Sequence, residues 1–324
     1  MTLAERKVVF EKERSDTENT LLCFKGKAIE GFDVYNCSAP FIWQGRRYIY
    51  GRVERRNEWT RSWTRLFEET NNDEFTLVPD SITYQLEDPF VTRIGDELVM
   101  GGTHVKYSCN RFVTVYGYFY RGTDLEDLRY FTTGPNDMKD IRLVDLGANG
   151  VGVFSRPLNK EIEERYGSTS VIGFTVIPGL DNLDENVVSA ARVIPGLFSE
   201  GEWGGCNQCH LLDSGYIGVI GHKSYQDSND DGQTLNVYIN IAFVFDLVNN
   251  RVIDEKILAT RSSYPVTPAK RADLRDCTFT SGIVPRADGK FDLYGGLGDV
   301  AEGRVVIDDP FAGYGSIVAD KRFL

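Results

Sequence analysis

The chain has 324 residues, of which 41% are hydrophobic, with 19 Phe and 16 Tyr to fill a core. Its 48 acidic and 36 basic residues give a formal charge of −12. Because that charge repels phosphate backbones and anionic lipid surfaces, we expect the protein to bind neither nucleic acid nor membranes. We find no targeting segment and no apolar run long enough to span a bilayer. Six cysteines without a secretory signal therefore indicate reduced thiols in a cytoplasmic protein.

Five segments share one pattern along the chain. Each begins polar or charged, continues as an apolar strand, turns near a glycine, and returns as a second apolar strand. The turn glycines are Gly45, Gly95, Gly147, Gly215 and Gly289. The five segments are 38–54, 87–104, 139–156, 208–223 and 277–299. A strand hairpin repeated at long intervals is typical of a β-propeller, with one hairpin in each blade.

The sequence therefore predicts an all-β protein, a five-bladed β-propeller that forms a single domain over residues 1–324. Segments 111–120, 170–177 and 235–245 alternate apolar and polar residues with period two, which predicts outer strands. Only segment 160–165 favours a helix. In such a fold the inner strands line a central channel, where polar residues from every blade converge.

Asp88 stands at the head of the second hairpin, between Glu87 and Pro89. A carboxyl group placed there would point into the channel and could act as a general acid. Most Asp-Pro pairs are surface turns, so this chemistry is one of two interpretations. Asp140, Asp276 and Asp299 recur near hairpin ends, and with Asp88 they would form a ring of acids suited to sugar hydroxyls.

Basic side chains occur where the return strands end, namely Arg52, Arg156, His222 and Lys223. In so acidic a protein, several cations converging on one pocket suggest a bound anion, with Arg gripping phosphate oxygens through paired hydrogen bonds. The alternative is that each cation pairs with a neighbouring acid. His210 is a further candidate for lining the pocket.

Two short motifs resemble cofactor or metal sites without completing them. The segment 206–210 matches the haem-attachment pattern, yet it starts a predicted inner strand, so we expect no haem. The segment 227–232 resembles the first half of a calcium loop, but its twelfth position is Tyr238 where the bidentate Glu belongs. We therefore expect no metal site.

Three tryptophans, Trp59, Trp63 and Trp203, lie near hairpin ends. An aromatic face at such a place could stack on a sugar ring, although burial in the core is the commoner role of Trp. The sequence leaves both roles open for each of them.

The hairpins resemble those of glycoside hydrolase family 130, the five-bladed β-mannoside phosphorylases, and in particular a divergent branch that builds and degrades β-1,2-linked mannan. The resemblance runs through the whole chain. Its motifs are Asn36 to Pro40 with Arg52-Val53-Glu54, Glu87-Asp88-Pro89, Phe154 to Pro157, Gly221-His222-Lys223, Thr278 to Gly282 and Leu293 to Asp299. Phe90 replaces a family Arg, Thr280-Ser281 replaces Pro-Cys, and Lys223 replaces Gly.

The resemblance implies inverting phosphorolysis of a β-mannoside, or the reverse synthesis from mannose 1-phosphate, with inorganic phosphate as co-substrate and no cofactor. It implies that Asp88 is the proton donor, with the proton relayed through a sugar hydroxyl. Phosphate is expected at Arg156, His222 and Lys223. The sugar is expected at seven other positions, namely Asn36, Arg52, Glu87, Asp140, His210, Asp276 and Asp299.

Two other functions are compatible with the sequence. The first is a glycoside hydrolase or a sugar-nucleotide-dependent mannosyltransferase on the same fold. The second is a non-catalytic propeller that binds a glycan or a protein. Mannose oligosaccharides and phosphate or mannose 1-phosphate are the expected partners, and a homo-oligomer is compatible with the sequence.

Overall fold

The computed structural model of the protein describes residues 1–228 and 231–318. In these residues, strands form five sheets arranged around one axis, so the predicted five-bladed propeller is confirmed. All five turn glycines lie in the left-handed region, with φ of 77°, 59°, 60°, 86° and 81° for Gly45, Gly95, Gly147, Gly215 and Gly289. Only glycine adopts this conformation without a steric cost, which explains why it recurs at these turns.

Blades 2, 3 and 4 are four-stranded antiparallel meanders, numbered from the axis outward. Blade 2 contains β8 (Glu87–Ile94), β9 (Glu97–Ser108), β10 (Arg111–Gly122) and β11 (Arg129–Thr133). Blade 3 contains β12 (Arg142–Asp145), β13 (Val151–Ser155), β14 (Gly173–Ile177) and β15 (Arg192–Val193). Blade 4 contains β16 (Trp203–Leu211), β17 (Ile217–Ser228), β18 (Thr234–Asp246) and β19 (Arg251–Ala259).

Blades 1 and 5 are completed by the first strands of the chain. Blade 1 contains β2 (Cys23–Lys25), β3 (Phe32–Tyr35), β4 (Phe41–Trp43), β5 (Arg46–Arg55), β6 (Trp63–Asn71) and β7 (Glu74–Leu77). Blade 5 contains β20 (Thr278–Pro285), β21 (Phe291–Leu297), β22 (Ala301–Ile307) and β1 (Asn19–Leu21). Because β1 pairs with β22 and β2 pairs with β7, residues 19–25 connect the last blade to the first and close the ring.

Among the described residues, three α-helices lie outside the sheets: α1 (Leu3–Glu13), α2 (Lys160–Tyr166) and α3 (Glu185–Ser189). The second confirms the helix predicted from segment 160–165. The sequence analysis missed the first helix, although Thr2 and Glu5 form a capping box at its N-terminus. This helix packs against blade 4, where Arg6 pairs with Glu255 at 2.6 Å.

The hydrophobic core lies between neighbouring blades, where their faces pack together. Between blades 3 and 4, the rings of Phe154, Phe174 and Phe245 pack with centroids 4.8–5.6 Å apart. Such contacts fix each blade against the next and so fix the inner strands around the axis. All six cysteines are free thiols. Among the described helices, none is both long and apolar enough to span a membrane.

Arg304 on β22 joins the two blades at which the ring closes. Its guanidinium donates hydrogen bonds to Asp292 of its own blade at 2.8 Å and to Asp73 of blade 1 at 2.8 and 2.9 Å. A third acid, Glu18, accepts a bond at 2.8 Å just before β1. Arg304 is buried, with 5% of its surface exposed. Asp292 and Glu18 also pair with Arg286, at 2.9 and 3.8 Å, so Asp73 is the acid that depends on Arg304 for charge compensation.

We therefore expect Arg304→Met to lower the free energy of unfolding by about 3 kcal/mol, because it leaves the partly buried carboxylate of Asp73 without a cation. The matched control is Arg46→Met, which removes the exposed pair with Glu68 and is expected to cost less than about 1 kcal/mol. Urea unfolding of both variants measures the difference. Equal losses would show that Arg304 does not secure the closure of the ring.

Candidate active site

A polar cavity of about 210 Å³ lies on the propeller axis and receives side chains from all five blades. It contains eight of the eleven residues predicted for the site. They are Asn36, Arg52, Glu87, Asp88, Asp140, Arg156, His222 and Asp299. The inner hairpins therefore converge as the sequence predicted.

Four of these eight residues have left-handed backbone conformations. The φ angles are 46° at Asn36, 48° at Asp88, 54° at Asp140 and 59° at Asp299. Asn and Asp tolerate this region better than other residues with a Cβ, because their short polar side chains bond locally. Non-glycine residues held in this way concentrate at active sites and ligand clamps. The conformation turns each side chain out of its strand direction and into the pocket.

Arg52 on β5 organises the acidic side of the pocket. Its Nη1 donates to Asp88 Oδ1 at 2.9 Å, its Nη2 to Glu87 Oε1 at 2.8 Å, and its Nε to Ser62 Oγ at 2.7 Å. The side chain is almost fully buried. Arg52 was predicted among the cations that bind an anion or sugar, but its guanidinium is occupied by these protein groups. The structure thus assigns it to holding the two acids.

Asp88 is buried on the axis with both of its hydrogen bonds directed to one oxygen. Oδ1 accepts from Arg52 and, at 3.0 Å, from Asn36 Nδ2. Within the described residues no hydrogen bond reaches Oδ2. Oδ1 is therefore the anchored oxygen, and Oδ2 is the one that can exchange a proton with a ligand.

The pKa of Glu87 is raised to about 7, mainly by burial and also by the neighbouring charge of Asp88, while the charge of Arg52 acts in the opposite direction. Burial also raises the pKa of Asp299, whose Oδ1 lies 3.5 Å from Asn36 Nδ2. Three carboxyl groups close together in a dry pocket repel one another when ionised. The pocket is therefore able to retain a proton on its acidic side near neutral pH.

The opposite side of the pocket contains charged groups that lie close together without hydrogen bonds. Arg156 Nη1 lies 3.1 Å from Asp140 Oδ2, but the pair lacks hydrogen-bond geometry. Among the described residues, Arg156 Nη1 and both carboxylate oxygens of Asp140 have no hydrogen-bond partner, although they are buried. Lys139 lines the same pocket and forms no ion pair within the described part of the chain. Buried polar atoms left in this state indicate a site built for a ligand.

His222 lies beside this group, with its ring packed on Phe279 at 4.8 Å between centroids. Burial, with the nearby charge of Arg156, moves the pKa of His222 well below its usual value. This direction favours the neutral imidazole, in contrast to the cation that the sequence suggested. Its Nδ1 lies 2.8 Å from Asn207 Oδ1 and donates to it, since an amide oxygen only accepts. Nε2 is then a free acceptor for a ligand hydroxyl.

Three predicted residues lie outside the pocket. Lys223 follows His222 on β17 and points to the opposite face, where it pairs with Glu255 at 2.9 Å and Glu202 at 3.4 Å. Asp276 pairs with Lys7 of α1 at 3.0 Å.

The third, His210, lines a separate cavity of about 370 Å³ near the turns of the inner hairpins. Its pKa is lowered to about 4 by burial. The ring of acids therefore contains Asp88, Asp140 and Asp299 without Asp276, and the positive side of the pocket lacks Lys223.

Several pocket residues were missed by the sequence analysis. Lys139 could have been found, because Lys139-Asp140 opens the third hairpin as Glu87-Asp88 opens the second. Arg271 belongs to the connection between blades 4 and 5, outside the repeated pattern, and no sequence signal marks it. Among the described residues, no cluster of His, Cys, Asp and Glu could hold a metal ion. The segment 227–232 lies partly outside the described residues.

A family described as a protein of unknown function, DUF1861, matches residues 8–313. No protein with curated function matches the sequence.

Among solved structures, one similar chain is MPT-4 from Leishmania mexicana, described as a mannose phosphorylase in complex with a phosphate ion. It has 46% sequence identity and a TM-score of 0.92, and the alignment covers 98% of this chain and 96% of that one. MPT-1 from the same organism is described as a GDP-Man-dependent mannosyltransferase. It has 43% identity and a TM-score of 0.90, with 98% and 97% covered.

A β-1,2-mannobiose phosphorylase from Listeria innocua has 18% identity and a TM-score of 0.59, with 88% and 92% covered. At that identity the likeness concerns the fold alone.

Arg156 Nη1, which forms no hydrogen bond with the described residues, leads to a prediction about phosphate binding. We expect Arg156→Gln to weaken binding of inorganic phosphate at least tenfold, because it removes a buried charge-assisted donor. Isothermal titration calorimetry with phosphate measures the change. The control is Arg56→Gln, which removes an exposed arginine paired with Asp33 and should leave phosphate binding intact. Unchanged affinity in Arg156→Gln would exclude this side of the pocket as the anion site.

Proposed function

The chain belongs to the DUF1861 family, and from this membership and the pocket we propose that it is a phosphorylase that transfers mannosyl groups between β-mannosides and phosphate. The observation that carries the proposal is the group of buried atoms of Arg156 and Asp140 that form no hydrogen bond, beside Lys139, which forms no ion pair in the described part of the chain. Such a site suits phosphate, whose oxygens accept hydrogen bonds, together with a sugar, whose hydroxyl groups donate and accept them. The similarity to a mannose phosphorylase with bound phosphate supports the same assignment.

In the phosphorolytic direction, a phosphate oxygen attacks the anomeric carbon and the bond to the glycosidic oxygen breaks. Asp88 supplies the proton that this leaving oxygen needs, and the resemblance noted in the sequence implies a relay through a sugar hydroxyl. The products are mannose 1-phosphate of inverted configuration and a saccharide one unit shorter. Since phosphate is itself the nucleophile, no second carboxylate is needed to activate water.

Each side of the pocket has a distinct part in this reaction. Arg156 and Lys139 bind the phosphate, and the free Nε2 of His222 accepts a hydrogen bond from its hydroxyl. Asp140 binds sugar hydroxyls with its unpartnered oxygens. Arg52 and Asn36 hold Asp88 in place, so the acid is positioned before substrate arrives.

A second candidate is a mannosyltransferase that uses a nucleotide-activated mannose. Its support is the similarity to MPT-1, described as GDP-Man-dependent, at nearly the same identity as MPT-4. The pocket chemistry suits either donor, because both carry a phosphate on the anomeric carbon. The two candidates differ only in what leaves with that phosphate.

The proton donor gives the main test. We expect Asp88→Asn to lower turnover about 1000-fold or more, because the amide can neither supply the proton in phosphorolysis nor take it from the acceptor hydroxyl in synthesis. The amide oxygen still accepts from Arg52 and Asn36, so thermal stability and sugar binding should be retained. The measurement is the rate of phosphate release from mannose 1-phosphate with a mannose oligosaccharide acceptor. Retained activity in Asp88→Asn would overturn the assignment, and Asp33→Asn is the surface control.

The choice of donor is tested with the wild-type protein. Mannose 1-phosphate and GDP-mannose are each supplied with a mannose oligosaccharide, and chain extension is followed. Extension with mannose 1-phosphate, and phosphate-dependent breakdown of the product, supports the phosphorylase. Extension with GDP-mannose alone supports the transferase. Free mannose released without phosphate would indicate a hydrolase and contradict both.

A further inference from the structure

Trp59 is an exposed aromatic residue at the mouth of the axial pocket. It lies in the blade 1 connection between β5 and β6, lines the pocket, and has 60% of its surface exposed. The guanidinium of Arg271 lies 4.7 Å from the centre of its ring. Its place at the edge of a polar cavity leaves a large aromatic face where a ligand in that cavity can contact it.

The surroundings hold Trp59 and Arg271 in place. Arg271 Nε and Nη2 donate to Asp273 at 2.9 and 2.5 Å, and Asp273 also accepts from Asn236 of blade 4 at 2.8 Å. The next residue to Trp59, Thr60, has φ of 58° and hydrogen-bonds through its hydroxyl to Tyr107 of blade 2. Groups from blades 2 and 4 therefore fix both sides of this contact.

Lys270, next to Arg271, fastens the same segment to blade 1. Its ammonium binds Glu54 and lies 3.3 Å from the hydroxyl of Tyr35. The Lys270 and Glu54 side chains are buried, with 3% and 0% exposure. The connection between blades 4 and 5 is thus pinned across the mouth to blade 1. Trp59 and Arg271 are parts of an ordered rim.

The order of the blades places this rim opposite the anion side. Arg156 belongs to blade 3 and His222 to blade 4, whereas Trp59 belongs to blade 1 and Arg271 is pinned to it. In a closed ring of five, blade 1 faces the junction of blades 3 and 4. An inverting displacement requires the nucleophile and the leaving group on opposite faces of the sugar ring. Phosphate on the side of Arg156 therefore directs the leaving saccharide toward Trp59.

We propose that Trp59 and Arg271 form the binding platform for the saccharide that leaves in phosphorolysis and accepts mannose in synthesis. The inference rests on the proposed function and adds where the second sugar binds. The exposed indole face packs against the apolar C–H face of a pyranose ring. Arg271 Nη1, which bonds to no described residue, donates to its hydroxyls. The ligand class is a mannose oligosaccharide, bound by its sugar next to the bond that reacts.

Steady-state kinetics in the synthetic direction test the platform. We expect Trp59→Ala to raise KM for the oligosaccharide acceptor about tenfold, and to leave KM for mannose 1-phosphate within about twofold. Trp59→Phe retains an aromatic face and should recover part of the acceptor affinity. The matched control is Trp63→Ala. Trp63 lies only four residues away and is 41% exposed, but it packs on Phe32 outside the pocket. An acceptor KM unchanged by Trp59→Ala, or raised equally by Trp63→Ala, would overturn the proposal.

A binding measurement separates this inference from the reaction itself. In the Asp88→Asn background, titration with a β-1,2-mannose oligosaccharide should change the tryptophan fluorescence, and the change should disappear when Trp59→Ala is added but persist with Trp63→Ala. If the wild-type protein transfers no mannose from either donor, the proposed function fails, yet this titration still decides whether the platform binds sugar. A signal that survives Trp59→Ala contradicts the platform whichever reaction the protein performs.

Discussion

The buried guanidinium of Arg52 is the interaction on which the acidic side of the pocket depends. It joins Ser62 and Glu54 of blade 1 to Glu87 and Asp88 of blade 2, in a place where water cannot compensate charge. Removing one partner of a buried ion pair costs far more than the pair contributes, because the other charge is left uncompensated. Without Arg52, the carboxyl groups of Glu87 and Asp88 would lose the cation that lies between them. The position of Asp88 therefore follows from this residue.

The two sides of the pocket are built on opposite principles. On the acidic side, Asp88 Oδ1 and the guanidinium of Arg52 have their partners within the protein, so this side is organised in advance. On the other side, Asp140 and Arg156 Nη1 are buried without hydrogen bonds, so a ligand would complete this side. A site of this kind places the catalytic acid rigidly and leaves binding free energy available where the anion docks. The asymmetry also explains why Arg52 and Arg156, similar in sequence position, have different roles.

The sequence predicts the blades well, because the hairpin pattern is local. A glycine turn between two apolar strands occurs in all five copies. It also places Asp88, Asp140 and Asp299, since acids at hairpin ends converge on the axis of a propeller. It fails for Lys223, because a shift of one residue along a strand reverses the face, and the pattern does not fix the register at the strand end. It fails for the charge of His222, which depends on burial by Phe279 and on the nearness of Arg156. Trp59 and Arg271 meet through two irregular connections far apart in sequence, and no periodic pattern could bring them together.

The propeller fold alone cannot determine which mannosyl donor an enzyme uses. MPT-4 is described as a mannose phosphorylase and MPT-1 as a GDP-Man-dependent mannosyltransferase, yet both have this fold, with TM-scores of 0.92 and 0.90 to the chain. A nucleotide extends beyond the phosphate that it shares with a sugar phosphate, so discrimination must act beyond the first phosphate, toward the rim of the pocket. In this chain part of the rim is made by non-repeating segments that include Trp59, Lys270 and Arg271. Such connections vary more readily than the strands that carry the acids. The blades hold the acids and the anion side of the pocket. A change of mannosyl donor therefore disturbs the fold least when it is made in the connections.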